Sequence, residues 1–188
     1  MKLSDEIRIE APREDVYAAL NDAEILRRAI PGCEALERVS ETEFTATVVA
    51  RVGPVSAKFS GTARLSDLNP PEGYTIAGEG KGAAGFAKGQ ARVTLMADGE
   101  ATVMRYEVEA DVGGKLAQVG NRLIDGTSKK LAGEFFDAFK GIVAGEGVAP
   151  VPAAEAPPAR AAATGIPPMV WAVGAAALAA LVVLMWSL

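Results

Sequence analysis

Apolar and polar positions alternate through the middle of this chain. Phe44, Ala46, Val48, Ala50 and Val52 are separated by mainly polar residues; after Gly53-Pro54 the alternation resumes at Val55, Ala57, Phe59, Gly61, Ala63 and Leu65. A period of two with one apolar face predicts an antiparallel hairpin with one buried and one wet side. The same period extends from Glu34 to Val112, punctuated by a turn at Asn69-Pro70-Pro71-Glu72-Gly73, a strand through Tyr74, Ile76 and Gly78, and a hairpin at Asp98-Gly99 joining Ala87–Ala97 to Ala101–Val112. A first strand is predicted over Leu3–Glu10. Pro12 then opens a helical stretch carrying Val16, Tyr17 and Leu20, Asn21-Asp22 breaks it, and Ala23–Ile30 reads as a second short helix ending at Pro31-Gly32. Gly113-Gly114 stops the sheet. Beyond it Leu116, Val119, Leu123, Thr127, Leu131, Phe135, Phe139 and Ile142 recur every three or four residues and predict one long helix. The fold class is therefore α+β, with a curved antiparallel sheet wrapped around a long C-terminal helix.

The pattern changes after residue 145. Residues 146–168 are rich in Ala and Pro and read as a flexible linker, and residues 169–188, MVWAVGAAALAALVVLMWSL, are almost wholly apolar. A run of about 20 residues rising about 1.5 Å each spans roughly 30 Å, the hydrocarbon thickness of a bilayer. Trp171 and Trp186 stand near its two ends, where amphipathic rings favour the membrane interface. The run has no polar stripe, as a core helix of a small protein would. It is expected to be a C-terminal transmembrane helix that anchors a single domain of residues 1–145. The linker, extended at about 3.1 Å per residue, would give that domain a reach of roughly 60 Å.

Composition narrows the functions available. The net charge is −5 and no basic patch with interleaved aromatics occurs, which argues against nucleic acid as a partner. There is a single cysteine, Cys33, so no intramolecular disulfide can form. The opening MKLSDEIRIEAP is charged where an export signal needs an apolar run, and Arg160 lies on the near side of the anchor. The expected location is the cytoplasmic membrane, with the soluble domain in the cytoplasm.

Catalytic chemistry finds little support. The chain has no histidine, and no HExxH, cysteine pair, P-loop or GxSxG occurs. GEGKGAAG lacks the Walker spacing and is read as a hairpin between strands. Glu107, Glu109 and Asp111 share the polar face of one strand, the usual arrangement of a solvated surface. Tyr17 and Tyr106 could donate hydrogen bonds to a carbonyl in a cavity or serve as core residues. Cys33, after a Pro-Gly turn, is read as a small packing residue. Gly78, Gly80, Gly82, Gly85 and Gly89 crowd one hairpin, and Gly120, Gly126, Gly133 and Gly141 dot the long helix. They are compatible with close sheet–helix packing or with an internal cavity.

Four strings, IRIEAPREDVYAALND, AIPGCEALE, VVARVGPVSAKFSGTARL and DVGGKLAQVGNRLIDGTSKKLAGEFFDAF, together resemble the carbon monoxide dehydrogenase G-subunit family, within the START/Bet v 1-like (SRPBCC) helix-grip superfamily. The resemblance covers about residues 1–145. It implies a helix-grip fold and a non-catalytic accessory protein that recruits a molybdenum hydroxylase, such as CO dehydrogenase, to the cytoplasmic membrane. It also implies a cavity for a hydrophobic ligand, with a respiratory quinone (menaquinone or ubiquinone) fitting the role. The residues expected to line it are Phe44, Val48, Phe59, Tyr74, Ile76, Phe86 and Tyr106 on the sheet, closed by Val119 and Leu123 on the long helix. No catalytic residue and no metal site are expected. Two alternatives stand beside this reading: a pure membrane tether without ligand, and a grip-fold enzyme of cyclase or hydrolase type.

Overall fold

The structure, a computed structural model, describes residues 2–145. The linker 146–168 and the anchor 169–188 with Trp171 and Trp186 lie outside the described residues. Among the described residues no helix is long and apolar enough to cross a membrane.

The elements follow the chain as β1 (Lys2–Ile9), α1 (Arg13–Ala19), α2 (Ala23–Ala29), β2 (Cys33–Arg38), β3 (Glu43–Val52), β4 (Val55–Asn69), β5 (Gly73–Gly82), β6 (Gly85–Asp98), β7 (Ala101–Gly114), a 3-10 turn (Ala117–Val119) and α3 (Asn121–Val143). The seven strands form one sheet in the order β1-β7-β6-β5-β4-β3-β2. Every pairing is antiparallel, so the meander from β2 to β7 returns β7 to the side of β1. The two short helices carry the chain from one edge of this sheet to the other.

Local chemistry fixes these boundaries. Pro12 supplies the fixed φ before α1, and Asp22 caps α2 by accepting from the Glu24 and Ile25 amides at 2.8 and 3.0 Å. The buried Thr102 hydroxyl donates to the Ala11 carbonyl at 2.7 Å and pins the start of α1 to β7. GEGKGAAG forms the β5–β6 hairpin, as its position between strands predicted.

The long helix differs from its predicted form at its start. Leu116 and Val119 precede it, because Gly120 adopts φ +91°, a left-handed conformation that breaks helical phase before Asn121. The buried stripe runs through Ile124, Ser128, Ala132, Phe135, Phe136 and Phe139, one position later than Leu123 and Thr127. Ser128 can occupy the buried face because its hydroxyl donates to the Ile124 carbonyl at 3.0 Å, which satisfies it within the helix.

Candidate functional site: the concave face of the sheet

Strand parity and register set what faces α3. Reading across hydrogen-bonded partners, five rows cross the concave face beyond the Ile7–Met104–Leu95 row at the α1 end. The first of these is Tyr74–Val93–Tyr106, followed by Leu65–Ile76–Ala91–Val108. Next come Phe44–Ala63–Gly78–Gly89–Ala110 and Ala46–Gly61–Gly80–Ala87–Val112. The last row, at the β3–β4 and β5–β6 hairpins, is Val48–Phe59–Gly82–Gly85–Gly114. There the Phe59 ring covers Gly82 so closely that a Cβ on Gly82 would lie 2.8 Å from Phe59 Cδ1.

The third and fourth rows are thus paved with alanine and glycine across the central strands. The helix above is equally small in that region. Ile124 at its start lines a cleft with Ala110 and Val112, and Phe136 further along stacks on Tyr106 with ring centroids 5.3 Å apart. Ser128 and Ala132, between them on the same buried face, therefore stand over the small-residue rows. Close backbone approach of α3 is made to α2, α1 and β3 rather than to the central strands. Small side chains on both layers line an apolar interior, bounded by Phe44 and Phe59 on β3–β4, by Tyr106 and Phe136, and by Phe135 and Phe139. Val93 faces inward in the middle of the sheet, yet remains partly accessible while its row neighbours Tyr74 and Tyr106 are buried.

Between the β1 edge and α3 a cleft of about 660 Å³ opens beside this interior, with Leu3, Ile7, Tyr106, Ala132 and Phe136 on its walls. Asp5, Lys129, Asp137 and Lys140 also line it, so an apolar wall meets charged groups. A separate groove of about 410 Å³ includes Thr45, Thr47, Ser60, Thr62, Glu79 and Lys81 and lies on the opposite, convex face.

Of the expected lining residues, Phe44, Val48, Phe59, Tyr74, Ile76 and Tyr106 are buried on the concave face. Phe86 is not there. Its parity, one residue before the inward Ala87, places it on the convex face, 42% exposed, with its ring over Gly113. Val119 is partly buried in the 3-10 turn instead of on the helix, and Leu123 is 48% exposed beside the Gly53 turn. Ala63, Ala87, Ala110, Ser128 and Ala132 were missed. Their signal was an absence of bulk on the buried parity of consecutive strands, which becomes legible once the register is known.

The titratable groups nearby are suited to hydrogen bonding, not proton transfer. Burial, with the Asp5 carboxylate adding to it, pushes the Tyr106 hydroxyl up to about 12, and burial pushes Tyr74 further in the same direction. Both therefore remain neutral donors at physiological pH. Burial also pushes the Cys33 thiol up to about 11, and its S–H is directed at the Ala35 carbonyl at 3.4 Å, as befits a packing residue. Among the described residues no group of three or more Cys, Asp or Glu is arranged to hold a metal ion.

A curved antiparallel sheet gripping a C-terminal helix over an apolar interior is the architecture of START/Bet v 1-like proteins. The solved structures similar to this chain include a START superfamily protein from Mycobacterium smegmatis, 14% identical with TM-score 0.53, covering 77% of this chain and 97% of its own. They also include the Zhui aromatase/cyclase from Streptomyces sp. R1128, 16% identical with TM-score 0.54, covering 77% and 93%. A conserved protein from Geobacillus kaustophilus is 29% identical with TM-score 0.73, covering 77% of this chain and 96% of its own. No curated protein matches the sequence. Within that superfamily the chain belongs to the carbon monoxide dehydrogenase G-subunit (CoxG) family, which it matches over residues 6–144. Family and fold together suggest a hydrophobic ligand-binding role.

Proposed function

We propose that this protein is a non-catalytic, membrane-anchored accessory subunit. It brings a molybdenum hydroxylase of the CO dehydrogenase type to the cytoplasmic membrane and carries a respiratory quinone in its grip domain. The observation that carries the reading is the pair of alanine/glycine rows beneath Ser128 and Ala132, which line an apolar interior in a chain that contains no histidine. A quinone is insoluble in water, so an enzyme that passes electrons to the membrane pool needs a membrane domain or a carrier. The uncharged run from Ala161 to Leu188 supports the anchoring half of the proposal, and the family name supports the choice of hydroxylase.

Vesicle flotation tests the recruitment. Phosphatidylcholine/phosphatidylglycerol vesicles carrying the full chain are mixed with purified CO dehydrogenase and floated on a density gradient. The proposal expects the enzyme to float with the vesicles, and to stay at the bottom when the chain ends at residue 145. Enzyme that stays at the bottom in both cases removes the recruitment role.

A further inference from the structure

We infer that Tyr74 is the polar recognition group of the interior, donating a hydrogen bond from its hydroxyl to a neutral carbonyl oxygen on an apolar ligand. The inference rests on the reading of the concave face as a ligand cavity and adds the ligand's head-group chemistry. Tyr74 stands on β5, faces inward with Ile76, and is only 2% exposed. Its hydroxyl meets no hydrogen-bond partner among the described residues. A buried, unpaired hydroxyl is rare in native proteins and unfavourable, and phenylalanine would pack the same space without that cost.

The surroundings define what the hydroxyl can recognise. The Tyr17 ring of α1 meets Tyr74 edge-on, with centroids 5.9 Å apart and planes at 76°, which fixes the phenol's direction. Arg13 lies one helical turn before Tyr17, and its Nε is a second buried donor without a partner among the described residues. Its guanidinium lies 3.7 Å from the Glu14 carboxylate and 3.9 Å from that of Glu72, two residues before Tyr74. The Arg13 Nε–H can only donate and the Tyr74 phenol donates as readily as it accepts, so an acceptor oxygen satisfies either group. Beside Tyr74 the partly accessible Val93 offers an apolar floor, bounded on its far side by Tyr106. A charged ligand would pay heavy desolvation on such a floor, whereas a neutral ring bearing a carbonyl satisfies the hydroxyl and covers Val93. A quinone ring has this chemistry, and so does any aromatic ketone.

Calorimetric titration of the full chain, held in amphipol, tests the assignment with two probes that share a dimethylated bicyclic skeleton and differ in their carbonyl groups. These are 2,3-dimethyl-1,4-naphthoquinone, whose methyl groups block addition of the Cys33 thiol, and 2,3-dimethylnaphthalene. The wild type is expected to bind the quinone more tightly than the hydrocarbon. Tyr74→Phe should weaken the quinone about tenfold, the worth of one hydrogen bond, and leave the hydrocarbon within about twofold. The carbonyl stretch of the bound, labelled quinone, measured on the wild type alone, should lie at lower wavenumber than in an apolar solvent. If the wild type binds both probes but Tyr74→Phe changes neither and the stretch is unshifted, the Tyr74 assignment fails while the carrier reading survives. If the wild type binds neither probe, the carrier reading fails and the assignment falls with it.

Discussion

Replacing Ala87 by leucine asks whether the small-residue rows enclose space or merely allow close packing. Ala87 is 1% exposed and faces α3, with Gly80 and Val112 as its cross-strand neighbours. Leucine adds three carbons; at ~0.8 kcal/mol for each buried methylene, filling an empty interior would stabilise the fold by roughly 2.4 kcal/mol. In a close-packed interior the same carbons force off-rotamer side chains and backbone shifts that cost ~1–3 kcal/mol. The two cases therefore differ in sign. At roughly 2–4 °C per kcal/mol for a domain of this size, the cavity account expects Ala87→Leu to raise Tm by about 5–10 °C in a far-ultraviolet circular dichroism melt. The variant should also lose affinity for the naphthoquinone probe, since the added side chain occupies the ligand's space. A Tm lowered by several degrees would refute the reasoning and return these rows to ordinary packing.

Other consequences can be measured separately. A Cβ at Gly126 or Gly133 would meet nothing within 4 Å, so Gly126→Ala and Gly133→Ala should each stabilise α3 by about 1 kcal/mol in urea titrations. Equal or lower stability would reveal a packing demand at these positions. Asp22→Ala removes the α2 cap and should cost about 1 kcal/mol in the same assay. The alkaline limb of stability should be steep. An unfolded tyrosine ionises near 10 whereas folded Tyr106 holds its proton to about 12, so the folded state binds more protons in that window and stability falls as pH rises through it. Tyr106→Phe should flatten the decline in unfolding free energy between those pH values; a slope unchanged by the substitution would contradict the burial of this hydroxyl.

Much of the fold was legible because the strands are long and regular. The alternation through Phe44–Val52 and Val55–Leu65 predicted the β3–β4 hairpin, and the turn residues at Asp98-Gly99 marked where β6 meets β7. The start of α3 was obscured because Leu116 and Val119 continue an apolar stripe across Gly120, whose left-handed backbone interrupts the helix regardless of side-chain pattern. The site was legible where a large residue sits on the buried parity, as with Phe44, Phe59 and Tyr106. Phe86 shows the limit of that logic, since hydrophobicity suggested the interior while parity sent the ring outward. The more informative lining residues are small, and a lone alanine or glycine carries no signal until strand register aligns it with others. Tyr74 was expected as apolar lining; only its burial and lack of a partner mark it as a donor.

Native mass spectrometry of the full chain purified from membranes, followed by solvent extraction, tests the central claim most directly. The account predicts a species heavier than the polypeptide by one quinone, and an extract whose mass and absorbance identify that quinone in stoichiometric amount. A bare polypeptide mass with an empty extract, from protein that still brings CO dehydrogenase to vesicles, would contradict the carrier role and leave a tether alone.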